Sequence, residues 1–543
     1  MLQIQTATLT PEIVFKTSGH VDKFEDLMVN DTITGECFRA DHLLEDELEK
    51  LLAQPDLPGP QKDEIKAALA RADDFTAREL GEQLKKYHVL APETGNPISD
   101  PFPFNLMFST QIGPTGKFKG YLRPETAQGM FVNFPRLLDF NNGRLPFAAA
   151  QIGGAFRNEI SPRSGLLRVR EFVLAEIEHF VDPQDKSHAK FAEVADVALP
   201  LFSRASQVGL APVQHLPIGR AVEEGIVNNQ TLGYFLVRVY MFLVKIGIQK
   251  DKIRFRQHLQ NEMAHYATDC WDAEIFTTYG WIECVGNADR ACFDLTVHEK
   301  ASGKNMAAFV LYPDGIRDVA GLEIAVDKGA VGKTWRGEAK SALAYLESVK
   351  EDQEVLKALR EELNNNGEIE VKGLKLSSQY VSFKEVTIRQ TGRSINPSVI
   401  EPSFGLGRII YCLLEHSFYT RPDAESRAVL RLKPIIAPYK TSLFPLVSDE
   451  KMLAIVPKVL QGLTRYRISC KVDTTGTSIG KRYARTDEIG IPFGITIDAD
   501  TVVDGTVTVR ERDSMRQVRV GIEGLGELLR DLIDEVVSWE EVE

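Results

Sequence analysis

The chain has 543 residues, of which 43% are hydrophobic and 26% are charged, and this composition is typical of a soluble globular protein with two or three domains. Its net charge of −13 excludes a surface coated with basic patches for indiscriminate nucleic-acid binding, although a local basic patch for RNA is compatible with it. The six cysteines include no CxxC pair, so neither a disulfide framework nor a zinc knuckle is expected.

The same features predict the compartment. Cysteines scattered without pairing favour a reducing environment. No apolar run approaches the length of a membrane span, and the N-terminus shows neither a basic-then-apolar signal nor an Arg-rich amphipathic presequence. We therefore expect a cytoplasmic protein without a membrane partner.

The first part of the chain mixes strand and helix patterns. Residues 2 to 15 alternate apolar and polar side chains up to Pro11, which predicts a strand that ends there. Residues 41 to 95 are helical and charge-rich in pattern, which indicates a surface insertion. Two strands are then expected, over residues 106 to 108 and 120 to 122. The helix that follows them is predicted to be capped by Thr126 and to run through Leu138.

The stretch from Phe156 to Phe180 is predicted to be a hairpin with a Ser-Pro-Arg-Ser-Gly loop. Its second strand places Glu176 and Glu178 on one face, where they could hold an ammonium group, and Glu159 could accept from an exocyclic amine. Guanidinium groups suit phosphate oxygens because their planar fork stays protonated, and the hairpin supplies Arg157, Arg163, Arg168 and Arg170. A solvated hairpin of alternating charge is the alternative, which the apolar flanks disfavour.

The middle of the chain is predicted to be core and insertion. Residues 186 to 250 are mostly helical in pattern and contain one continuous apolar face, made by Leu232, Phe235, Leu236, Val239, Phe242 and Leu243. His258, Glu262 and His265 miss the HExxH spacing, so the signal for a metal is weak. Residues 301 to 390 are expected to form a second insertion of strands and one charged helix.

A second candidate anion site lies between residues 399 and 414. The pattern predicts a strand, a glycine-rich turn and a helix that begins at Arg408. Glycines let the backbone approach a ligand closely, and a helix N-terminus with an arginine attracts anions. Such turns often serve only packing, but a second arginine-rich element in the same chain makes the signal more specific.

A change in composition after Arg431 marks a separate domain, predicted over residues 431 to 543. Alternating strands and helices indicate an α/β domain with a mixed or parallel sheet, and Asp504-Gly505 is a hairpin signal. The predicted strands cover residues 434 to 438, 467 to 472, 495 to 497 and 506 to 509, and the predicted helices cover residues 451 to 463 and 525 to 536.

Positive charge concentrates in this C-terminal domain although the whole chain is acidic. The bases surround the aromatic Tyr483, which favours a docking face for a polyanion over charge that serves only solubility. They are Lys481, Arg482, Arg485, Arg510, Arg512, Arg516 and Arg519. Two phosphate-binding elements, an acidic pocket and a basic domain together indicate activation of a small amine-bearing acid with ATP and its delivery to RNA.

Several motifs in one order closely resemble the dimeric, eukaryotic-type glycyl-tRNA synthetases of class II, and the resemblance covers nearly the whole chain. The motifs are KTSGHVDKF (16–24), GECFRADHLL (35–44), GYLRPETAQG (120–129), FRNEISPRSG (156–165), FRQHLQNEMAHYATDCWDAE (255–274), VIEPSFGLGR (399–408) and YARTDEIGIPFGITID (483–498). The resemblance implies an α+β catalytic domain over residues 1 to 430, with an antiparallel class II sheet, flanking helices and insertions, followed by an α/β anticodon-binding domain.

The resemblance also implies an ATP site in which Arg157 and Arg408 are the catalytic groups. By this likeness Arg157 binds the α-phosphate, Glu159 contacts the adenine amino group and Phe172 stacks on adenine. Glu283 falls where the family binds ATP and Mg²⁺. The implied ATP site comprises Arg157, Asn158, Glu159, Arg168, Val169, Phe172, Glu283, Cys284 and Arg408.

A glycine site and a tRNA site are implied in the same way. The residues that would enclose or support glycine are Glu125, Glu176, Glu178, Glu401, Pro402 and Ser403, and those expected to bind tRNA-Gly are Lys481, Arg482, Arg485 and Arg512. Carboxylates attract the ammonium group, and a pocket without room for a β-carbon rejects alanine. The glycine carboxylate then attacks the α-phosphorus in line, and the adenylate passes glycine to the terminal 3′-hydroxyl of tRNA.

One departure from the family keeps an alternative open. Family members carry, before the segment that matches residues 1 to 15, the long first-motif helix that builds the homodimer interface, whereas the sequence given begins after it. The alternative is a shortened, catalytically impaired RNA-binding or accessory protein, which retention of the ATP-site arginines disfavours. Another class II synthetase would need a roomier or less acidic pocket, and an upstream segment would admit a mitochondrial form.

Overall fold

The computed structural model describes residues 1–54, 57–69, 71–72, 75–160, 162, 164–209, 211–260, 262–264, 266–422 and 424–542. Arg163 and His265, both considered above, lie outside the described residues. The chain forms two compact units, and each is described by itself. The first comprises Met1–Asn141, Pro146–Met306 and Pro397–Glu543, and the second comprises Asn142–Leu145 and Ala307–Asn396.

The first unit begins with short strands and helices. They are β1 (Leu2–Gln3), β2 (Leu9–Pro11), α1 (Glu12–Thr17), α2 (His20–Lys23), β3 (Glu25–Asn30), β4 (Cys37–Arg39), α3 (Ala40–Leu52), α4 (Gly59–Leu69), α5 (Ala77–Lys86), β5 (Phe102–Asn105), β6 (Ser109–Ile112), β7 (Phe118–Leu122), α6 (Ala127–Phe131) and α7 (Phe134–Phe140). Leu44, Leu48 and Leu80 belong to one buried cluster, so α3 to α5 share a small core of their own.

The next part of the first unit includes its longest strands. Its elements are β8 (Phe147–Phe156), β9 (Glu171–Val181), β10 (Ala198–Phe202), α8 (Arg204–Val208), β11 (Gln214–Pro217), α9 (Ile218–Glu223), α10 (Gln230–Ile246), β12 (Ile253–Gln257), β13 (Asp269–Thr277), β14 (Gly280–Ala291) and α11 (Phe293–Ser302). The segment predicted to be mostly helical, residues 186 to 250, thus also contributes β10 and β11.

The second unit follows in the chain. Its elements are β15 (Ala308–Leu311), β16 (Arg317–Val326), α12 (Lys328–Trp335), α13 (Ala339–Ser348), α14 (Gln353–Asn366), β17 (Glu368–Val371), β18 (Leu374–Ser377), β19 (Val381–Gln390) and β20 (Gly392–Ile395). Its strands pair antiparallel as β15 with β20, β16 with β19, and β17 with β18. Val331, Leu346 and Ile369 are buried in its own apolar cluster.

The chain then returns to the first unit. Its last elements are β21 (Ser398–Gly405), α15 (Leu406–Ser417), β22 (Phe418–Arg421), β23 (Ala424–Leu430), β24 (Thr441–Pro445), α16 (Glu450–Arg465), β25 (Cys470–Val472), α17 (Ile479–Glu488), β26 (Phe493–Ile497), α18 (Ala499–Asp504), β27 (Thr506–Glu511), β28 (Gln517–Gly521), α19 (Leu525–Ile533) and α20 (Trp539–Val542).

A nine-stranded sheet, dominated by antiparallel pairs, is the centre of the first unit. Its order is β1-β8-β9-β21-β14-β13-β12-β10-β11, and the parallel pairs are β1 with β8 and β10 with β12. A hairpin is present as β8 and β9, which pair from Phe147 opposite Phe180 to Phe156 opposite Glu171. Its second strand is confirmed, but the prediction of a first strand that starts at Phe156 is wrong, because β8 ends at that residue. This large mixed sheet with flanking helices confirms the predicted class II fold.

Helix α10 forms the core of one face of this sheet. Asn229 caps the helix by accepting a hydrogen bond from the Leu232 backbone N–H, and Gly247 ends it in the left-handed conformation. Leu236 and Leu243 are buried in one cluster with Trp271 of β13. The apolar face of α10 is therefore core, as its spacing predicts, although Phe242 at its edge is 40% exposed.

The C-terminal part of the first unit contains the mixed five-stranded sheet β25-β24-β26-β27-β28. Strand β24 runs parallel to β25 and β26, while β27 is antiparallel to β26 and β28. Apolar side chains of α16 and α19, such as Val459 and Leu529, are buried with Ile495 of β26. Alternating strand and helix patterns thus correctly predict a mixed-sheet α/β domain.

Two strand predictions and one turn prediction are wrong. Residues 106 to 108 lie between β5 and β6, and residues 434 to 438 form turns just before the buried strand β24. Asp504-Gly505 is not a hairpin turn, because Asp504 ends α18 and Gly505 caps it with φ 71°. A glycine with positive φ suits both a hairpin and a helix C-cap, so the dipeptide alone does not separate them.

The predicted helix from Thr126 to Leu138 is two helices, α6 and α7, and the Thr126 side chain caps neither. Its hydroxyl instead donates a hydrogen bond to Glu176. Elsewhere in the described part of the chain, the helices are all too short or too polar to span a bilayer.

Candidate active site

A cavity of about 320 Å³ lies where β9, β21, β14 and β13 are neighbours in the central sheet. Antiparallel pairing brings Ser403 opposite Glu176 on one side and opposite Gly286 on the other. The cavity collects most of the residues predicted to bind ATP or glycine, namely Glu125, Arg157, Glu159, Arg168, Val169, Phe172, Glu176, Glu283, Cys284, Glu401, Ser403 and Arg408.

Three predicted residues do not line this cavity in the described structure: Asn158, Glu178 and Pro402. Pro402 lies between Glu401 and Ser403 on β21, and successive strand residues point to opposite faces, so its side chain points away from the cavity. Glu178 is completely buried beneath the site. Asn158, Glu178 and Pro402 are therefore not part of the cavity wall, and their roles at the ATP and glycine sites stay predictions.

The thiol of Cys284 also points away from the cavity. Its sulfur lies 3.7 Å from the sulfur of Cys412 on α15, and both residues belong to the apolar core behind the sheet. Cys284 can therefore border a ligand through its backbone but not through its side chain.

Arg157 presents a guanidinium group at one end of the cavity. Its Cζ atom lies 5.3 Å from the ring centre of Phe24 and 5.4 Å from that of Phe172. The buried Nε atom has no hydrogen-bond partner among the described residues. Two rings therefore hold the cation in place while its donors stay available, which is what an anionic ligand requires.

Arg408 lies at the same end, in the first turn of α15. Its Nε donates to the Leu167 carbonyl at 3.1 Å, and Nη1 donates to the Glu283 carbonyl at 2.9 Å. Nη1 is also 3.5 Å from the Glu283 carboxylate. Burial opposes ionisation of that carboxylate, but Arg408 and Arg157 lower its pKa, so Glu283 is an ionised group between two cations.

Glu176 lies at the opposite end, where glycine is predicted to bind. It accepts hydrogen bonds from the Thr126 backbone N–H and hydroxyl and, at 2.8 Å, from the Ser403 hydroxyl. Burial and the nearby Glu125 carboxylate raise the pKa of Glu176. Three donors therefore fix its orientation in an environment that disfavours a second negative charge.

Arg290, which the sequence patterns did not identify, holds this end together. Its side chain is 1% exposed, and it donates to Glu401 Oε2 at 2.7 Å and to Asp294 Oδ2 at 2.7 Å. It also lies 3.6 Å from Glu125 and 4.0 Å from the ring centre of Tyr266. A possible sequence signal is the presence of an arginine within β14, a mostly buried strand, since a buried arginine requires partners.

The carboxylates here outnumber the cations. Burial raises the pKa of Glu401 to about 8. The positive charge of Arg290 opposes this shift, whereas the nearby carboxylates of Glu176 and Glu125 add to it. Burial, with Glu401 nearby, raises the pKa of Glu178 well above its usual range, and neither Glu178 oxygen has a hydrogen-bond partner among the described residues. The cluster therefore retains protons that an incoming cation would displace.

His258, Cys270 and Asp272 also line the cavity, although no role was predicted for them. His258 Nε2 lies 2.7 Å from Asp272 Oδ2, and although burial opposes protonation, this hydrogen bond raises the pKa of His258. The missing HExxH spacing concerns a metal site made by His258, Glu262 and His265. It does not concern a site made by His258, Cys270 and Asp272.

The predicted basic face of the C-terminal domain is only partly exposed. Lys481 and Arg485 are exposed on α17. Arg482 and Arg512 are each 2% exposed, and their guanidinium groups donate to backbone carbonyls, including those of Pro445 and Gly490. Arg482 and Arg512 are therefore not part of an exposed basic face, because both tie loops to the domain interior, and their contact with tRNA stays a prediction.

Two family descriptions match the chain. The description "tRNA synthetase class II core domain (G, H, P, S and T)" matches residues 115–417, and "Anticodon binding domain" matches residues 436–532. The first region contains the cavity and every strand of the nine-stranded sheet except β1, and the second contains the five-stranded sheet.

Curated relatives are similar over the whole chain. The "Glycine--tRNA ligase" of Caenorhabditis elegans is 49% identical, across 100% of this chain and 74% of that protein. The "Glycine--tRNA ligase 2" of Saccharomyces cerevisiae is 50% identical, across 96% of this chain and 84% of that protein. The "Glycine--tRNA ligase" of Methanocaldococcus jannaschii is 44% identical, across 98% of this chain and 89% of that protein.

Proposed function

Because the chain belongs to the glycine–tRNA ligases of the class II tRNA synthetases, we propose that its cavity binds ATP at the arginine end and glycine at the glutamate end. The enzyme is an aminoacyl-tRNA ligase with ATP, glycine and tRNA as substrates. One observation supports the proposed arrangement most strongly: a single cavity has Arg157 and Arg408 at one end and Glu176 and Glu401 at the other. Nothing in the relatives or the geometry favours an impaired accessory protein.

At the arginine end, Arg157 would bind the α-phosphate of ATP. Its Nε lacks a partner among the described residues, so a phosphate oxygen would satisfy a buried donor. Arg168 and Arg408 line the same end and would neutralise the remaining phosphates. Attack by the glycine carboxylate adds charge at the α-phosphorus, and preoriented guanidinium groups stabilise that charge without a protein nucleophile.

Mg²⁺ would belong at Glu283. This carboxylate is ionised between Arg408 and Arg157 and offers the oxygen ligands that Mg²⁺ prefers, with phosphates and water completing the shell of the ion. The ion would supply additional positive charge to the phosphates when bound.

At the glutamate end, Glu176 and Glu401 would hold the ammonium group of glycine. Thr126 and Ser403 fix Glu176, and Arg290 fixes Glu401, so neither carboxylate needs to reorganise when glycine binds. A pocket closed by these bonded side chains excludes a β-carbon by steric clash, which is the way to select the smallest amino acid.

The pH dependence of glycine use tests this assignment. The pKa of Glu401 is raised to about 8, so below that pH the cluster holds a proton that must leave before the ammonium group is paired. We expect kcat/KM for glycine in ATP–pyrophosphate exchange to rise about tenfold between about pH 6.5 and 8. Glu401→Gln, which cannot titrate, should flatten the profile. A wild-type profile that is flat or falls over this range would contradict the assignment.

The exposed bases of α17 would contact tRNA. We expect Lys481→Ala combined with Arg485→Ala to weaken tRNA binding about tenfold at low salt and to reduce the salt slope by about 1 per side chain, while ATP–pyrophosphate exchange stays unchanged. Lys66→Ala with Arg78→Ala, two exposed bases on α4 and α5, is the matched control. Equal loss of exchange and aminoacylation in the α17 variant would refute this division of labour.

A homodimer is a further proposal. Ile13, Phe118 and Phe140 are 64%, 71% and 77% exposed, and their burial between two copies of the chain would support such a dimer. Multi-angle light scattering would measure the mass of the particle directly. The cytoplasmic location stays a prediction from the sequence.

A further inference from the structure

A cluster of three different side chains lies in the cavity beside the ATP end. His258 directly follows β12, and its backbone N–H donates to the Cys270 carbonyl of β13 at 3.0 Å. Asp272 is two residues further along β13, so it shares a face with Cys270. One candidate ligand atom from each of the three residues lies within 4.8 Å of the other two.

We propose that His258, Cys270 and Asp272 form a binding site for a divalent cation of the Zn²⁺ type, separate from the Mg²⁺ that accompanies ATP. A thiolate, an imidazole and a carboxylate are the three ligand types that zinc uses in proteins, and three protein ligands leave the fourth position to water. Mg²⁺ prefers a shell made of oxygen atoms, so a site containing sulfur and nitrogen discriminates against it.

The surroundings of the cluster support a cation. Asp272 is 8% exposed and His258 is 23% exposed, measured on their side chains. His258 Nδ1 is buried and has no hydrogen-bond partner among the described residues.

A metal bound at this cluster would affect the reaction, because the cluster lies in the cavity where ATP is proposed to bind. Cys270 and Asp272 line the same cavity as Arg157 and Glu283. A bound cation with its water would occupy space and add positive charge where ATP is proposed to lie, so we expect it to inhibit glycine activation. This consequence rests on the proposed ATP site, whereas metal binding itself does not.

Metal binding is tested with the full chain, freed of metal by a chelator and kept reduced. Co²⁺ serves as the spectroscopic probe and Zn²⁺ as the competing metal. We expect one Co²⁺ per chain with a thiolate-to-cobalt charge-transfer band, and displacement of that band by Zn²⁺ in the presence of excess Mg²⁺. Absence of the band, or its removal by Mg²⁺ alone, would overturn the site.

Variants identify the ligands. Cys270→Ser should abolish the band and weaken Zn²⁺ binding by at least about 10-fold, and Asp272→Asn should weaken it similarly. Cys470→Ser is the matched control, because Cys470, like Cys270, is a free and partly buried thiol. Circular dichroism confirms folding of each variant. A band that persists in Cys270→Ser, or is lost in Cys470→Ser, would overturn the assignment.

Inhibition is measured on each variant relative to its own activity without Zn²⁺. At equal total Zn²⁺ and ATP, chelation of Zn²⁺ by ATP is the same for all variants, so a difference reports the protein site. We expect wild type and Cys470→Ser to be inhibited and Cys270→Ser to be at least about 10-fold less sensitive. Equal sensitivity of all three would overturn the inhibitory role, and the cobalt band would show separately whether the metal site exists.

Discussion

Replacing Arg157 by alanine is expected to lower glycine-dependent ATP–pyrophosphate exchange by at least about 100-fold, since loss of one preoriented donor to transition-state charge costs roughly 10²–10³ in rate. The side chain lies between the rings of Phe24 and Phe172 and retains a buried, unpartnered Nε donor among the described residues. In the proposed site no other described group takes this position against the α-phosphate. The effect should fall mainly on kcat, because the interaction strengthens as charge develops.

Two further variants separate this role from general effects of charge. Arg157→Lys keeps the positive charge but loses the planar fork, so we expect it to recover only a small part of the rate. Arg136→Ala removes an exposed arginine from α7 and should leave the rate unchanged. Exchange by Arg157→Ala within about threefold of wild type would remove Arg157 from the transition state.

Replacing Arg290 by methionine is expected to destabilise the protein by about 3–5 kcal/mol, because it leaves buried carboxylates without their cation. Arg290 is 1% exposed and bonds to Glu401 and Asp294. Urea unfolding followed by tryptophan fluorescence measures the free energy of unfolding, since Trp271 is buried in β13 beside this site.

The matched control is Arg220→Met on α9. Arg220 forms an ion pair with Glu224, but its side chain is 65% exposed, so its loss should change the free energy of unfolding by less than about 1 kcal/mol. Arg290→Lys, which keeps the charge but cannot reach all three carboxylates, should be intermediate. If Arg290→Met and Arg220→Met were equally stable, Arg290 would not be the group that holds the carboxylates together.

Sequence patterns predicted the strands and helices that bury one face, because burial of one face makes apolar residues recur at a regular spacing. Strand β9 and helices α10, α16 and α19 were identifiable because their apolar side chains recur at the spacing of a strand or a helix. The contribution of β10 and β11 to the central sheet was not, since it depends on pairing of β10 with β12 about 50 residues away. Turn signals failed where one residue type suits two structures, as at Gly505.

The residues of the site also divide into those that the sequence could identify and those that it could not. Arg157, Glu176 and Arg408 lie in dense motifs, so their chemistry was visible in the sequence. Arg290 was not, because its partner Glu401 is 111 residues away and a single arginine in a strand predicts no partner. Arg482 shows the opposite error: basic residues in sequence indicated a surface, whereas tertiary packing buries this side chain against loop carbonyls.

Glycine-dependent ATP–pyrophosphate exchange, measured with glycine, alanine and serine in parallel, tests the central claim that the carboxylate end of this cavity selects glycine for activation. The proposed site predicts exchange with glycine at least about 100-fold faster than with alanine or serine, because a β-carbon would clash with the bonded side chains of Glu176, Ser403 and Glu401. Exchange with alanine as fast as with glycine, or no exchange with glycine at all, would contradict it.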